Sequence, residues 1–551
     1  MSSNGPFVPE HLPGHSRRDG MVATAIVILL AAAHTLLHPG VGPFGLDGSF
    51  YFQIARNLAE GRGLTTSVSL YYMGYENLPA RINIYPLWPL TLGFAGRIMG
   101  MIAAANVLPQ IFFVIDLALL YLLTVRLERR LASADSSVPY RLFGLRAAHL
   151  VVLLLGTCTI YFMSTAMPYT EGMALAFLFA SLLAIDAPGA LSFRGGLLVG
   201  ILAGLAYLSR FQMIMAVAAI GFSLVITAVR DRRAWRSVLG AGTGLALIVV
   251  PWIAYMSTFI PLSVSALLSA VHPSSKLTLF NQAIATDSLA GWLRERALGL
   301  RVAFDPLSRY SFFSSFGPAA ALVPLAVIYA VVRLVRRKFV PVLSAKEALL
   351  PLAAGSAGFA LTSVLLLVHA SFLMPWFFGY RHGLPFVVLL AVAIPWLLHC
   401  DRALVRGTTA VLVALSVTLG AFQTGLLAAH GFAGHRPTVA EKQLASWLDR
   451  QRSVPSVLTI DAQELSVFSR SNFHWIVCDA KPQQTRLMLE RLPIDYIVFY
   501  GFERDCPYLR DLSDRVRPLY RFGKGAAAIY VLRVFERPAP GREPEDRAPE
   551  R

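Results

Sequence analysis

Two consecutive stretches, MVATAIVILLAAAHTLL (residues 21–37) and GLDGSFYFQIARNLAEGRG (residues 45–63), place this chain in a membrane. The first is an apolar run of the length that crosses a bilayer, for which roughly 20 apolar residues are needed. No small-residue cleavage site follows it, so we interpret it as a retained signal anchor. The second stretch is amphipathic and carries an early aspartate, Asp47.

The composition of the whole chain agrees with a membrane protein. Of its 551 residues 56% are hydrophobic and 15% charged, against about 25% charged residues in soluble domains. We predict an all-α polytopic membrane bundle of about 11 transmembrane helices, with a small C-terminal α/β domain on the outer face. The predicted helix cores are 20–37, 107–125, 147–164, 172–186, 195–208, 212–229, 237–258, 316–332, 347–369, 384–399 and 408–428.

The basic residues predict an orientation with the N-terminus inside. The predicted inner segments hold 19 Lys and Arg, whereas the outer segments, about twice as long, hold 11. Such asymmetry is the positive-inside pattern. We therefore attribute the net charge of +17 to membrane topology and predict no nucleic-acid partner. The inner segments are 1–19, 126–146, 187–194, 230–236, 333–346 and 400–407.

Residues 85–103 are hydrophobic enough to span, but spanning would put the following arginine cluster outside. They also contain Arg97 and three glycines. We therefore predict an interfacial or re-entrant helix on the outer face, where backbone at membrane depth must be buried in protein or line a cavity.

Four regions follow from this topology. They are a cytoplasmic tail (1–19), a transmembrane core (20–429) whose outer loop 38–106 carries Asp47, an extracytoplasmic α/β domain (430–537) and a disordered tail (538–551). Half of the 32 Asp and Glu lie after residue 430, where short apolar runs alternate with helical patterns. Cys478 and Cys506 both fall in the outer domain, where a disulfide is permitted, and the sequence leaves their pairing open.

Asp47 has two interpretations. As a helix N-cap its carboxylate would accept backbone N–H bonds. Held at the membrane surface beside a lipid headgroup, it could instead take a proton from an acceptor hydroxyl. Tyr51, one helical turn away, could line the same cavity. The apolar stripe that includes Phe50 and Ile54 indicates a helix lying in the membrane interface.

The aspartate after the first membrane helix, the run IARNLAEGRG (54–63) and the aromatic-proline segment IYPLWPL (84–90) resemble the glycosyltransferase C superfamily. The similarity is to the branch that includes protein mannosyltransferases and lipid A aminoarabinose transferases. The resemblance implies a polyprenyl-phosphate-linked sugar donor, with Asp47 as the catalytic residue. Many relatives have Asp-Asp or Asp-Glu where this chain has Asp47-Gly48. No cofactor is assigned, and a divalent metal stays an open alternative.

Further candidate residues lie on the predicted outer face. Glu171 opens the fourth helix and is either a helix cap or part of the site. Arg210, Arg381 and Arg81 could each bind a phosphate with a planar guanidinium, and either of the first two could instead be an interfacial anchor or a structural ion pair. His382 neighbours Arg381. Together with Tyr51 these form the predicted substrate-binding set.

We therefore predict an inverting glycosyltransferase of the inner (plasma) membrane that acts on its extracytoplasmic face. Its acceptor would be a glycan, a lipid or a protein of the envelope. The alternatives are a polytopic transporter or lipid flippase without transferase activity, an assembly protein that lost activity, and an O-antigen-ligase type enzyme centred on a later outer loop.

Overall fold

The structure is a computed structural model that describes residues 17–37, 45–69, 78–82, 84–132, 141–259, 301, 305, 311–335, 345–372, 381–400, 402–429, 438–478 and 480–535. Within these residues the chain is mostly helical and divides into two compact units. One unit comprises Met1–Pro39, Asn106–Leu267 and Thr278–Phe432, and the other comprises Gly40–Ala105, Leu268–Leu277 and Ala433–Arg551.

The first unit is a helical bundle. Its α-helices are α1 (Arg17–Leu37), α4 (Met101–Ala132, from Asn106 onward), α5 (Ala147–Gly156), α6 (Thr159–Thr165), α7 (Glu171–Ile185), α8 (Phe193–Ser209), α9 (Met213–Arg230), α10 (Trp235–Ser257), α11 (Phe312–Phe316), α12 (Leu322–Val335), α13 (Ala345–Phe372), α14 (Val387–Leu398) and α15 (Ala403–Ala429). Short 3-10 helices cover Arg232–Ala234, Gly317–Ala321 and Arg381–Phe386, and strands β4 (Arg141–Leu142) and β5 (Leu145–Arg146) form a hairpin.

Each predicted helix core overlaps a helix among the described residues. Six of these helices are long and apolar enough to cross a membrane, or seven if the pair α5 and α6, bent by 63°, forms one span. Helices α7, α8 and the segment Gly383–Leu398 are apolar but shorter. A multi-pass membrane protein is thereby supported, and the prediction of about 11 spans with the N-terminus inside stays a prediction.

Charged residues collect at one end of this bundle. Asp19 at the start of α1 is buried and accepts hydrogen bonds from Arg141 at 2.8 and 3.0 Å, and it lies 3.5 Å from Arg146. Arg130 near the end of α4 pairs with Asp186, the residue after α7, at 2.5 Å. Since these contacts join the first residues of α1 and the last residues of α4 and α7, they define one end of the bundle.

The second unit combines helices α2 (Gly45–Ala59) and α3 (Leu87–Met99) with the C-terminal region. Its other helices are α16 (Val439–Asp449), α17 (Ala462–Phe468) and α18 (Pro482–Arg491), with 3-10 helices at Gly501–Glu503, Pro507–Leu509 and Gly525–Ala527. Its strands are β1 (Thr65–Thr66), β2 (Val68–Ser69), β3 (Ala80–Arg81), β6 (Ser456–Thr459), β7 (Asn472–Trp475), β8 (Tyr496–Tyr500), β9 (Val516–Phe522) and β10 (Ile529–Val534).

Six of these strands form one mixed sheet in the order β2-β7-β6-β8-β10-β9. The strands from β2 to β8 run parallel, while β10 pairs antiparallel with β8 and β9. The sequence predicts strands near 456–460, 475–477, 496–500 and 528–532 and helices over 437–450 and 483–492. Strands β6, β7, β8 and β10 and helices α16 and α18 lie within a few residues of these segments. Strand β9 is largely exposed, and its sequence shows no apolar alternation that would predict a strand. It contains Pro518 and lies at the edge of the sheet, where a proline is tolerated.

A disulfide joins Cys478, three residues after β7, to Cys506, at the start of the 3-10 helix Pro507–Leu509. Their Cα atoms lie 5.0 Å apart, within the usual range. The bond closes a segment of 28 residues that includes α18 and β8. The pairing that the sequence left open is thus present in the structure. The predicted tail 538–551 lies outside the described residues.

Candidate active site

Asp47 lies in the first turn of α2, which begins at Gly45, and its side chain is partly buried. A carboxylate in the first turn of a helix is stabilised by the backbone N–H groups and the helix dipole. Tyr51 is one turn further along and is also partly buried. The sequence therefore placed Asp47 correctly at the start of a helix.

The apolar face of α2 is buried in protein and does not contact lipid, whereas the location of α2 in the membrane interface stays a prediction. Phe50 is 3% exposed and Ile54 is fully buried. Part of this face packs against α3, where a Cβ atom added at Gly93 would approach the carbonyl oxygen of Ala55 to 2.8 Å. The same stripe that predicted a lipid contact is explained by this protein contact.

The polar face of α2 holds the segment that follows it. Gln53 donates to the Thr66 hydroxyl at 2.7 Å and accepts from the Ser67 backbone N–H at 2.9 Å. The Asn57 amide donates to the Thr65 carbonyl and the Ser67 hydroxyl, both at 3.0 Å. Gln53 and Asn57 are buried and four positions apart, so they share one helix face. These bonds fix residues 65–67 against α2.

Arg56, one position before Asn57, connects α2 to the C-terminal region. Arg56 is 9% exposed, and its guanidinium donates to the backbone carbonyls of Val467 at 3.1 Å and Ser469 at 2.9 Å. Burial lowers the pKa of the Arg56 guanidinium to about 10, so it stays charged at neutral pH. Hydrogen bonds to a buried charge are among the stronger ones in proteins.

The loop after α2 also joins the C-terminal sheet as its edge strand. Strand β2 pairs in parallel with β7, with Val68 opposite Phe473 and Ser69 opposite His474. The backbone N–H of Phe473 donates to the Ser67 carbonyl at 2.8 Å. The helix that carries Asp47 is therefore part of the same folded unit as the C-terminal domain.

The other end of α2 is capped by α3. Arg97 donates to the carbonyls of Ala59 at 3.1 Å and Leu58 at 2.8 Å, the last carbonyls of α2. Helix α3 has 13 residues, about 20 Å, which is too short to cross a bilayer core of about 30 Å. A separate short helix matches the predicted non-spanning segment, and its depth in the membrane stays a prediction.

Arg81 lies in β3, which pairs antiparallel with β1 so that Thr65 faces Arg81. Its side chain is exposed. Because Asn57 holds the Thr65 carbonyl, Arg81 is connected through one strand pair to the helix that carries Asp47 and Tyr51.

Glu171 and Arg210 are brought together in the first unit. Glu171, the first residue of α7, is 2% exposed, and its carboxylate pairs with the guanidinium of Arg210, the residue after α8. Arg210 also donates to the Thr170 hydroxyl at 3.2 Å and to the Gln212 side chain. This pair lies at the opposite end of α7 from Asp186. Of the three interpretations of Arg210, namely phosphate binding, an interfacial anchor and a structural ion pair, the ion pair with Glu171 is present.

Arg381 and His382 begin the 3-10 helix Arg381–Phe386, and their side chains lie outside the described part of the structure. Among the described residues, no group of three His, Cys, Asp or Glu side chains is arranged to hold a metal ion.

The sequence interpretation missed Gln53, Arg56, Asn57 and Arg97 as anchoring residues. The sequence did contain a signal for three of these residues. Positions 53, 56 and 57 place three hydrogen-bonding side chains on one face of an otherwise apolar helix. Such a face predicts a polar contact with protein. The partner of Arg56 could not be predicted, because it lies more than 400 positions later in the sequence.

Comparison by sequence gives no matching family model and no matching curated protein. Solved structures do match. The transferase ArnT from Cupriavidus metallidurans bound to undecaprenyl phosphate has a TM-score of 0.55 at 13% identity, covering 93% of this chain and 97% of that one. The oligosaccharyltransferase AglB from Archaeoglobus fulgidus, in complex with an inhibitory peptide and a dolichol-phosphate, has a TM-score of 0.52 at 12% identity, covering 94% and 74%.

A structure of the arabinofuranosyltransferase AftD from mycobacteria matches with a TM-score of 0.50 at 13% identity, covering 95% of this chain and 42% of that one. At identities this low the likeness establishes architecture and leaves chemistry to be argued from the residues. All three are membrane glycosyltransferases, which agrees with the resemblance found in residues 45–90. This chain therefore has the glycosyltransferase C fold.

Proposed function

We propose that this protein is a membrane glycosyltransferase that moves a sugar from a polyprenyl-phosphate donor to a glycan, lipid or protein acceptor of the cell envelope, with inversion. The observation that carries the proposal is the position of Asp47 in the first turn of a helix with anchors on three sides. Arg56, Asn57 and Arg97 hold α2 against the C-terminal region, the following loop and α3. The undecaprenyl phosphate and dolichol-phosphate bound to the ArnT and AglB structures support the class of donor.

In the proposed reaction the Asp47 carboxylate takes the proton of an acceptor hydroxyl as the oxygen attacks the anomeric carbon of the donor sugar. The bond between that carbon and the phosphate oxygen breaks, and the electron pair leaves with polyprenyl phosphate. Because the leaving group is a phosphate, it departs as a stable anion and needs no general acid. Attack from the side opposite the phosphate inverts the anomeric centre.

Positive charge is required where the phosphate leaves. We assign that role to Arg210, Arg381 and Arg81, with His382 and Tyr51 lining the donor and acceptor positions. Glu171 orients Arg210, since its buried carboxylate fixes one edge of the guanidinium. A guanidinium fixed in this way loses little conformational entropy when it binds a phosphate.

We place the protein in the plasma membrane with the C-terminal domain outside the cytoplasm. The Cys478–Cys506 disulfide supports this location, because such bonds persist in oxidising compartments. The arginines at the end of the bundle that holds Asp19 and Asp186 support an inner assignment for that end.

The test is mass spectrometry of polyprenyl-phosphate sugars and envelope glycans from cells that express either the native chain or Asp47→Asn as the sole copy. We expect Asp47→Asn to accumulate the donor lipid and to lose one sugar from an envelope product. The exposed Asp505 provides the matched control: Asp505→Asn should leave both pools at the native level.

A second experiment, with purified protein in vesicles, separates the proposal from a transporter or flippase. A transporter moves its substrate across the bilayer without covalent change, so purified protein in vesicles would transfer no sugar from a supplied polyprenyl-phosphate donor. Unchanged donor and glycan pools in the Asp47→Asn cells, at equal expression, would overturn the assignment of Asp47.

A further inference from the structure

A basic pocket lies at the end of α8 opposite to Arg210. It has a volume of ≈ 860 Å³ and forms between the start of α8 and the turn that joins α9 to α10. We call it the arginine pocket, and it is lined by Leu191, Ser192, Phe193, Arg194, Asp231, Arg232, Arg233 and Arg236. Helix α8 has 17 residues, so the pocket and Arg210 are separated by about 25 Å along it. The pocket therefore lies apart from the pair formed by Glu171 and Arg210.

The charge in the arginine pocket is unbalanced. Four guanidinium groups line the pocket together with one carboxylate, so positive charge is in excess. That carboxylate, on Asp231, accepts a hydrogen bond from the Arg233 backbone N–H at 2.9 Å and so caps the 3-10 helix Arg232–Ala234. Within the described residues, no carboxylate lies at ion-pair distance from any of the four arginines. This differs from Arg130, Arg141 and Arg146 at the same end of the bundle, which all pair with acids.

The walls of the pocket are held by direct backbone packing. A Cβ atom added at Gly196 of α8 would lie 2.0 Å from the Ser237 carbonyl oxygen, and one at Gly240 of α10 would lie 2.1 Å from the Phe193 carbonyl oxygen. The Ser237 hydroxyl donates to the Ala190 carbonyl at 2.8 Å. Only glycine allows helices to approach this closely. The arginines thus project from a fixed frame.

Two further features suit an anion at this place. The Ser192 hydroxyl accepts from the Gly195 backbone N–H at 3.1 Å, so α8 starts at the pocket and directs the positive end of its dipole there. Phe193 in the lining and Trp235 beside it are each 44% exposed. Exposed aromatic rings next to basic residues are typical of the level of lipid headgroups.

We propose that the arginine pocket binds the phosphate of an anionic phospholipid of the bilayer. The pocket sits where the apolar segment Arg232–Ser257 begins, one of the helices long enough to cross a membrane. A headgroup at that level can reach the guanidinium forks while its acyl chains lie along the exposed apolar side chains Leu239 and Leu247 of α10. The positive-inside rule alone would place charge here, but it does not account for four arginines that surround one concave surface and have no acidic partner among the residues the structure describes.

The experiment uses the full chain in nanodiscs of phosphatidylcholine and measures binding of a spin-labelled phosphatidylglycerol. The test variant carries Arg194→Gln, Arg233→Gln and Arg236→Gln. The control carries three neutralised basic residues outside the pocket, Arg17→Gln, Arg18→Gln and Arg402→Gln, all exposed at helix starts. At about 1 kcal/mol per basic residue, we expect the test variant to lose on the order of 100-fold in affinity and the control to lose less than about threefold.

Two additional arms keep the result decisive. Replacing the same three arginines by lysine preserves charge and expression, and should retain more than half of the binding free energy of the native pocket. Inorganic phosphate in large excess over the labelled lipid should not displace it. Equal losses in the test and control variants, no preference for phosphatidylglycerol over phosphatidylcholine, or full displacement by inorganic phosphate would each overturn the proposal.

Discussion

At the scale of single residues, Arg56 has the greatest consequence for Asp47. It lies nine positions after Asp47 on α2, yet both of its described partners, the carbonyls of Val467 and Ser469, belong to the C-terminal region. Shortening the Arg56 side chain would remove the N–H groups that donate to these two buried carbonyls. Arg56 is thus a positioning residue for the helix that bears the candidate base.

We expect Arg56→Met to lower the transfer rate and leave donor affinity nearly unchanged, since the change acts on the orientation of α2 and not on the phosphate. Loss of two charge-assisted hydrogen bonds should cost about 3 kcal/mol of local stability. Hydrogen exchange at residues 65–69 and 472–475, measured by mass spectrometry, should accelerate. The control is Arg62→Met, which removes only a surface ion pair with Glu60. Native exchange in Arg56→Met would contradict this role.

Glu503 gives a pH dependence at the same scale. Burial, followed by the charge of Asp461, raises the pKa of the Glu503 carboxyl to about 7 from an ordinary 4.5. Between these two pH values the folded chain holds a proton that the unfolded chain releases. The contribution of Glu503 to the free energy of unfolding is therefore fully present below pH 4.5 and is lost as pH rises through about 7. His474, whose pKa burial lowers to about 4, has the opposite effect as pH falls through 6.5.

The variant Glu503→Gln isolates this contribution, because it mimics the protonated form at every pH. Thermal unfolding of the purified protein is measured between pH 4.5 and 8. The free energy of unfolding of the variant should exceed that of the native chain by up to about 2 kcal/mol at pH 8 and by little at pH 4.5. The effect of His474 cancels in this difference. Parallel curves for the two proteins would refute the raised pKa.

At the scale of elements, the sequence predicted what local pattern determines. Apolar runs marked the helices of the bundle, and the alternation after residue 430 marked β6, β8 and β10 as well as α16 and α18. Strand β2 was not predictable in this way, since two residues, Val68 and Ser69, become a strand only through a partner that lies about 400 positions later. The buried face of α2 was misassigned for the same reason, because lipid and protein accept the same apolar side chains.

The disulfide between Cys478 and Cys506 yields a prediction for the elements it encloses. Cross-linking a loop of 28 residues restricts the unfolded chain by about 3.5 kcal/mol. The double variant Cys478→Ala and Cys506→Ala should therefore unfold in its C-terminal region at a lower urea concentration, as measured by protease cleavage within residues 480–505. The control, Cys158→Ala with Cys400→Ala, removes the two free cysteines. Equal urea midpoints for the double variant and the native chain would show that the bond does not restrain this region.

At the scale of the whole molecule, the division into units separates the candidate residues. Asp47, Tyr51 and Arg81 belong to the unit that contains the C-terminal sheet, whereas Glu171 and Arg210 belong to the helical bundle. The sequence predicts, from topology alone, that all of them lie on one face of the membrane. It could not assign them to units, because unit membership follows from long-range contacts such as the pairing of β2 with β7.

Cysteine labelling tests that topology. In a background with Cys158→Ala and Cys400→Ala, we expect Ser446→Cys on α16 to react with a membrane-impermeant maleimide in intact cells, and Arg402→Cys to react only after permeabilisation. Both positions are exposed, so accessibility to the reagent is set by the side of the membrane. Reaction of Arg402→Cys in intact cells would reverse the predicted orientation.

The edge strand β2 also has a consequence for the order of biosynthesis. Residues 68 and 69 leave the ribosome long before β7 exists, and the ribosome makes every helix from α4 to α15 in between. Until residues 472–475 are translated, β2 has no β7 with which to form backbone hydrogen bonds. Before residues 467–469 are made, Arg56 likewise lacks the two carbonyls to which it donates. The contacts that hold α2 to the C-terminal region can therefore form only after residues 467–475 have been made.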